Sequence, residues 1–249
     1  MGSVEALYRH PVKGFTPERL ARTRLAPGEG IAWDRAFAIE DRPSGFDPAA
    51  PAFVSKMKFM VLAKMPMLAR LRTRFDDATG VFSVETDAGA FSACLFDAAG
   101  RDAFAAWLQD YLGADAAGAL RVLPAPGAHR FFDHPQGDVS LINLASVRDF
   151  AQRLGRPIDP LRFRANIYVE GWPPWAEDEA KAVALGAASA DVFKPIVRCA
   201  ATHVDLERGV RDIDLVGELH RLFGRTTCGV YLHVTDGAAV SQGDSALCR

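Results

Sequence analysis

Lys194-Pro195-Ile196-Val197-Arg198-Cys199-Ala200-Ala201-Thr202-His203-Val204-Asp205 reads as a short apolar strand that runs into a polar turn. The segments around it repeat the pattern. Residues 163–170, 183–185, 191–198 and 230–234 are short, rich in Val, Ile, Phe and Tyr, and separated by turn residues, which predicts strands. Residues 139–142 predict a strand leading into a helix over 145–154, with Asn143 as its N-cap, and residues 215–223 predict a second short helix.

Working back towards the N-terminus, residues 4–8 and 36–39 are apolar runs bounded by Pro, Gly and Asp, again strand punctuation. Over 68–75, Leu71, Thr73 and Phe75 alternate with Arg70, Arg72 and Arg74, and Asp76-Asp77-Ala78-Thr79-Gly80 leads into 81–86, which predicts a hairpin. Phe104, Trp107, Leu108, Tyr111 and Leu112 fall on one face of a helix over 101–112, a stripe that suits core packing. The loop over 123–137, rich in Pro, Gly and His, predicts a domain split near residue 125. No repeat has a fixed period. The reading is a β-rich chain with a few helices, barrel-like.

The composition narrows the function classes. With 249 residues, 49% hydrophobic and 24% charged, the chain can bury a sizeable core, and a net charge of −2 gives no broad basic surface for nucleic acid or an anionic membrane. No apolar run approaches the roughly 18 residues of a membrane span, and the first residues lack a signal-peptide core, so a cytoplasmic protein is expected. Cys94, Cys199, Cys228 and Cys248 are far apart, with no C-x-x-C, and read as reduced thiols. No H-E-x-x-H, P-loop or G-x-G-x-x-G occurs.

Cys199 is therefore either a small buried hydrophobe or a reactive thiol, with Arg198 and Lys194 nearby to favour a thiolate. Spacing alone leaves both open. Lys13 in Tyr8-Arg9-His10-Pro11-Val12-Lys13-Gly14, Arg35 in Trp33-Asp34-Arg35 and Arg164 in Arg162-Phe163-Arg164-Ala165-Asn166 sit at strand or turn ends, where a phosphate or pterin could be held. Taken singly, each suits a solvated surface charge better than a ligand site. Trp172-Pro173-Pro174-Trp175 is either a stiff aromatic loop over a pocket or a core cap.

Together with Ser140-Leu141-Ile142-Asn143-Leu144-Ala145-Ser146-Val147 and Gly243-Asp244, these segments in their order resemble the MOSC family, named for the C-terminal domain of molybdenum cofactor sulfurase. The resemblance spans nearly the whole chain. It implies an α+β fold, mainly β, with a smaller N-terminal β-barrel-like domain over 1–120 and a β-barrel MOSC domain, similar to the pyruvate-kinase barrel, over 121–249. In cofactor-binding members such as the mitochondrial amidoxime reducing component, the matching cysteine ligates molybdenum, which implies that role for Cys199.

The same resemblance implies that Lys13, Gly14, Arg35, Arg164 and Asn166 hold the pterin and its phosphate, with Arg198 and Tyr231 beside the metal and Ser140 and Asn143 approaching the ligand. Tyr231 or Asp205 would deliver a proton. The implied activity is a molybdenum-dependent reductase acting on N-hydroxylated or related oxidised small molecules. The chain ends at Arg249 without a ferredoxin-like cysteine cluster, so a separate electron donor of ferredoxin or flavin-reductase type is expected. The alternative is a sulfur carrier whose Cys199 persulfide comes from a desulfurase, to which the pyridoxal phosphate would belong. Gly14, where serine is common, and Trp33, where glycine is usual before Asp-Arg, depart from the family pattern.

Overall fold

Seven strands close into a barrel in the computed structural model, which describes residues 2–136 and 139–249; Met1, Gly137 and Asp138, the last two in the loop read as a split, lie outside the described residues. Around the ring run Ile167–Glu170, Val139–Asn143, Thr227–Asp236, Ala188–Val197, Ala182–Leu185, Ser245–Cys248 and Gly2–Arg9, which returns to pair with Ile167–Glu170. The first strand of the chain thus closes a barrel built otherwise from residues 139–248.

Alternating apolar residues fill the barrel. Val139, Leu141, Ile167, Val169, Val183, Leu185, Val230 and Leu232 form its interior, each on the inward face of a strand with a two-residue period. A register shift between Val4 and Ala6 alters that period in the first strand, so Val4 and Leu7 both join the interior while Ala6 packs outside. Val139–Asn143 and Ile167–Glu170 pair in parallel, and the crossover this demands contains helix α2, Leu144–Leu154. The Asn143 side chain accepts from the Ala145 N–H at 3.1 Å and caps α2, and Gly155 in the left-handed region ends it. Through Val147, Phe150, Leu215 and Leu219, α2 and helix α3, Leu215–Phe223, cover the outer face of the barrel.

The N-terminal half packs a second core. Arg72–Phe75, Val81–Thr86 and Gly89–Cys94 form an antiparallel sheet against helix α1, Ala98–Leu112, burying Phe75, Phe82, Phe104 and Leu108. The aromatic stripe is core, as its spacing suggests. The mainly β fold with a few helices is borne out, with two local corrections. Residues 68–71 are not strand, since Pro66 starts a 3-10 turn over Pro66–Arg70, proline at the first position suiting a helical turn, and the strand begins at Arg72. Pro160–Phe163 is likewise a 3-10 turn capped by Asp159, and the strand begins only at Ile167.

Candidate functional site: a cationic cleft around Cys199

Where the two halves meet, Cys199 follows the strand Ala188–Val197 and opens a 3-10 turn, Ala200–His203. Its thiol is half-buried, and Thr202 donates from both its N–H (3.0 Å) and Oγ1 (2.9 Å) to the Cys199 carbonyl, which holds the turn. Lys56 Nζ, from the other half, lies 3.5 Å from Cys199 Sγ. Arg35, Arg164, Arg198, Ser140, Asn166 and Tyr231 line the same cleft, and Lys13 and Gly14 line its continuation past Lys56 and Asp133.

Backbone strain aims two of these side chains. Arg35 and Arg164 have φ of 53° and 54°, a left-handed conformation that costs a non-glycine residue roughly 1–2 kcal/mol. Arg35 donates to Asp34, a fully buried carboxylate that also accepts from the His10 N–H at 2.7 Å. Arg164 donates to the Phe15 carbonyl at 2.8 Å, its guanidinium's one hydrogen bond among the described residues. Burial and the facing Arg35 pull the Arg164 guanidinium down to about 10. Two arginines brought together at a cost in backbone and in charge repulsion mark a place prepared for an anion.

Other polar groups are already engaged. Lys13 is buried and donates to Asp133 and, at 2.7 Å, to the Phe131 carbonyl. Burial pulls the Lys13 amine down, and Asp133 opposes that. Asp133 itself is held far below the usual carboxylate range, since Lys13, Lys56 and Arg35 outweigh its burial. Arg198 donates from Nε to the Cys228 carbonyl at 2.7 Å and from Nη1 to the Phe163 carbonyl at 2.7 Å, so it braces the strand end beside the thiol. Asn166 accepts from the Ser140 N–H and hydroxyl at 3.1 and 2.8 Å, stitching two strands at the cleft wall. Burial, with Asp133 nearby, pushes the Tyr231 hydroxyl up, so it keeps its proton at neutral pH.

Two residues named from sequence are not brought to the cleft. Asn143 caps α2 and donates to Glu177 at 3.0 Å, on the helix side of the barrel. Asp205 accepts from the N–H groups of Glu207 and Arg208 at 3.0 and 2.8 Å and closes a turn. The Trp33 ring lies against Phe75 and Phe96, at 5.5 and 5.1 Å, and joins the N-terminal core instead of filling the site. The Trp172 indole donates to the Ala246 carbonyl and the Trp175 indole to Asp149, so this pair caps cores and does not cover the cleft.

A family model described as the MOSC domain matches residues 128–246, and one described as the MOSC N-terminal beta barrel domain matches residues 1–115. The chain belongs to the MOSC family. Molybdenum cofactor sulfurase of Caenorhabditis briggsae is 32% identical over 130 residues, 51% of this MOSC chain and 18% of that protein. That of Drosophila erecta is 32% identical over 142 residues, 53% of this chain and 17% of its own length. The chain thus spans under a fifth of the length of the curated relatives it matches. The crystal structure of the YuaD protein from Bacillus subtilis aligns over 98% of this chain and 93% of its own, with a TM-score of 0.49 and 12% identity.

Lys56, Asp133 and the His10–Asp34 pair of this MOSC chain escaped the sequence reading. Lys56 sits in Ser55-Lys56-Met57-Lys58, which has the look of any solvated charged turn, and Asp133 lies in the loop rich in Pro, Gly and His over 123–137. His10 is fully buried, and among the described residues neither ring nitrogen makes a hydrogen bond, Nδ1 lying 3.6 Å from Asp34 Oδ1; burial together with Arg164 and Arg35 outweighs Asp34 and depresses it to about 3. The folded protein therefore holds His10 neutral where the unfolded chain would protonate it. Stability from this group is complete above the unfolded value of 6.5 and is lost as pH falls toward 3. Between about pH 7.5 and about pH 5, the free energy of unfolding is expected to fall by about 2 kcal/mol through His10 alone. His129, His134 and His203, also depressed, act in the same direction, so the comparison is with His10→Leu, whose denaturation midpoints should vary less over that window. Equal pH dependence in the two proteins would rule this out.

Proposed function

We propose that the cleft binds the molybdenum cofactor, with the Cys199 thiolate as the protein's ligand to the metal and the cationic cradle receiving the pterin phosphate. The observation that carries this reading is the facing pair Arg35 and Arg164, both on left-handed backbone beside a half-buried thiol. The donor set suits the group. A soft thiolate matches a soft metal site, and planar guanidinium forks match a phosphate. Among the described residues no cluster of three or more His, Cys, Asp or Glu could hold a metal by itself, so a metal here would take its remaining ligands from a cofactor.

The bound cofactor supplies the redox chemistry. The chain supplies the rest. Lys13 and Arg35 offer positive charge from the N-terminal half, and Arg164 and Arg198 offer it from the barrel. Lys56 holds its ammonium on Cys199 Sγ, and Tyr231 Oη retains a proton at the cleft wall. With these parts the protein is read as a reductase of N-hydroxylated or related oxidised small molecules, fed by a separate electron-transfer protein. Protein made in a host that synthesises the cofactor is expected to carry close to one molybdenum per chain, with pterin fluorescence after denaturation. Folded protein free of both under those conditions would end this reading.

The relatives' name favours a second reading, in which Cys199 carries sulfur. A desulfurase persulfide would pass its outer sulfur to the Cys199 thiolate, regenerating the donor's thiolate and leaving a Cys199 persulfide. Mass spectrometry after incubation with a desulfurase and cysteine would show one added sulfur on the peptide containing Cys199. Its absence alongside bound molybdenum favours the first reading.

A further inference from the structure

We infer that a second cavity beside the cleft seats the aromatic body of a neutral or anionic substrate, whose oxidised nitrogen or sulfur group enters the cleft at Cys199. This rests on the reading above. The cavity is lined by Phe53, His129, Arg130, Phe132, His134 and Pro135. Phe132 also lines the cleft, so the two spaces share a wall. The His134 ring spans the same boundary, 5.8 Å from the ring of the cleft residue Tyr231.

The lining selects the occupant. Phe53 is 46% exposed, a large apolar ring left uncovered at the cavity edge. His129 is stacked on Phe46 at 5.1 Å, which fixes its ring plane. Burial and Arg130 hold His129 toward its neutral form, and burial, Lys194 and His233 do the same for His134. Neutral imidazoles and phenyl rings receive another aromatic ring by offset or edge contacts. Among the described lining residues none is a carboxylate and one, Arg130, is a cation, so the described lining favours a neutral or anionic body. The segment separates the two roles: Phe132 and His134 face the cavity, and Asp133 between them turns to Lys13 and Lys56.

The test titrates the full chain, from a cofactor-making host, with benzohydroxamic acid and acetohydroxamic acid, N-hydroxylated probes differing in a phenyl against a methyl group. The phenyl probe is expected to bind about tenfold more tightly, as one added aromatic contact set allows, and to shift the ring-proton signals of His129 and His134. Phe53→Ser, at a residue that lines the second cavity and not the cleft, should narrow the ratio to within about twofold while leaving the affinity for the methyl probe in place. Equal affinities, saturating binding that leaves the two histidine signals unmoved, or no saturable binding of the phenyl probe would each overturn the subsite. Molybdenum content measured on the same samples reports separately: metal-loaded protein that fails the titration overturns the subsite alone.

Discussion

Cys199→Ser is expected to lower bound molybdenum from near one per chain to background, with the thermal unfolding midpoint unchanged. The two halves of this expectation have separate causes. A serine hydroxyl stays protonated at neutral pH and is a hard donor, so it cannot replace a thiolate toward a soft metal site. It can still accept from Lys56 Nζ, now 3.5 Å from Sγ, and the turn beyond it is held by bonds from the Thr202 N–H and hydroxyl to the Cys199 carbonyl, which the substitution does not touch. Conservative changes at half-buried positions of this kind stay within about 0.5 kcal/mol. Metal analysis paired with a melting curve checks both halves, and full metal retention would remove Cys199 as the ligand.

Gly14→Ser, which would restore the residue common in the family, is expected to destabilise this chain by about 3 kcal/mol, from backbone strain and overpacking together. Gly14 has φ of 88°, and a Cβ there would lie 2.6 Å from the Met60 carbonyl oxygen and 2.9 Å from Val61 Cα. Both are backbone atoms, so neither can rotate away. A loss of that size corresponds to a fall of roughly 6–12 °C in Tm for a chain of this length. The neighbouring Lys13 would shift with the loop, so anion binding should weaken as well. An unchanged melting point in the Gly14→Ser protein would show that the loop around 12–15 relaxes freely, and with it the rigidity assigned to Lys13 would fall.

Much of the architecture was legible in local pattern. The helix over 215–223 matches its expected span, the 81–86 strand pairs across its Asp-rich turn, and Asn143 caps α2, because capping, turn chemistry and apolar period act within a few residues. The differences at 68–71 and 163–166 share one origin. In both, a proline just upstream starts a 3-10 turn that takes up the first residues of the expected strand.

At the site, motif order led to Cys199, Arg35, Arg164 and Lys13, residues that the fold gathers around one cleft. It led also to Asn143 and Asp205, which serve a helix cap and a turn. The charge balance was beyond any local reading. Lys56 reaches Cys199 across 143 positions and Asp133 reaches Lys13 across 120, in turns whose sequence carries no periodic signal. Closure of the barrel by its first strand belongs to the same class, since Leu7 pairs with Ile167, a residue far along the chain. The order of residues along the chain thus determined which segments become strands and helices and which thiol and arginines are available, through interactions spanning a turn or two. The depressed His10, the paired Arg35 and Arg164, and the aromatic cavity exist only when distant segments pack, because burial and facing charges are properties of the assembled space and not of any stretch of chain.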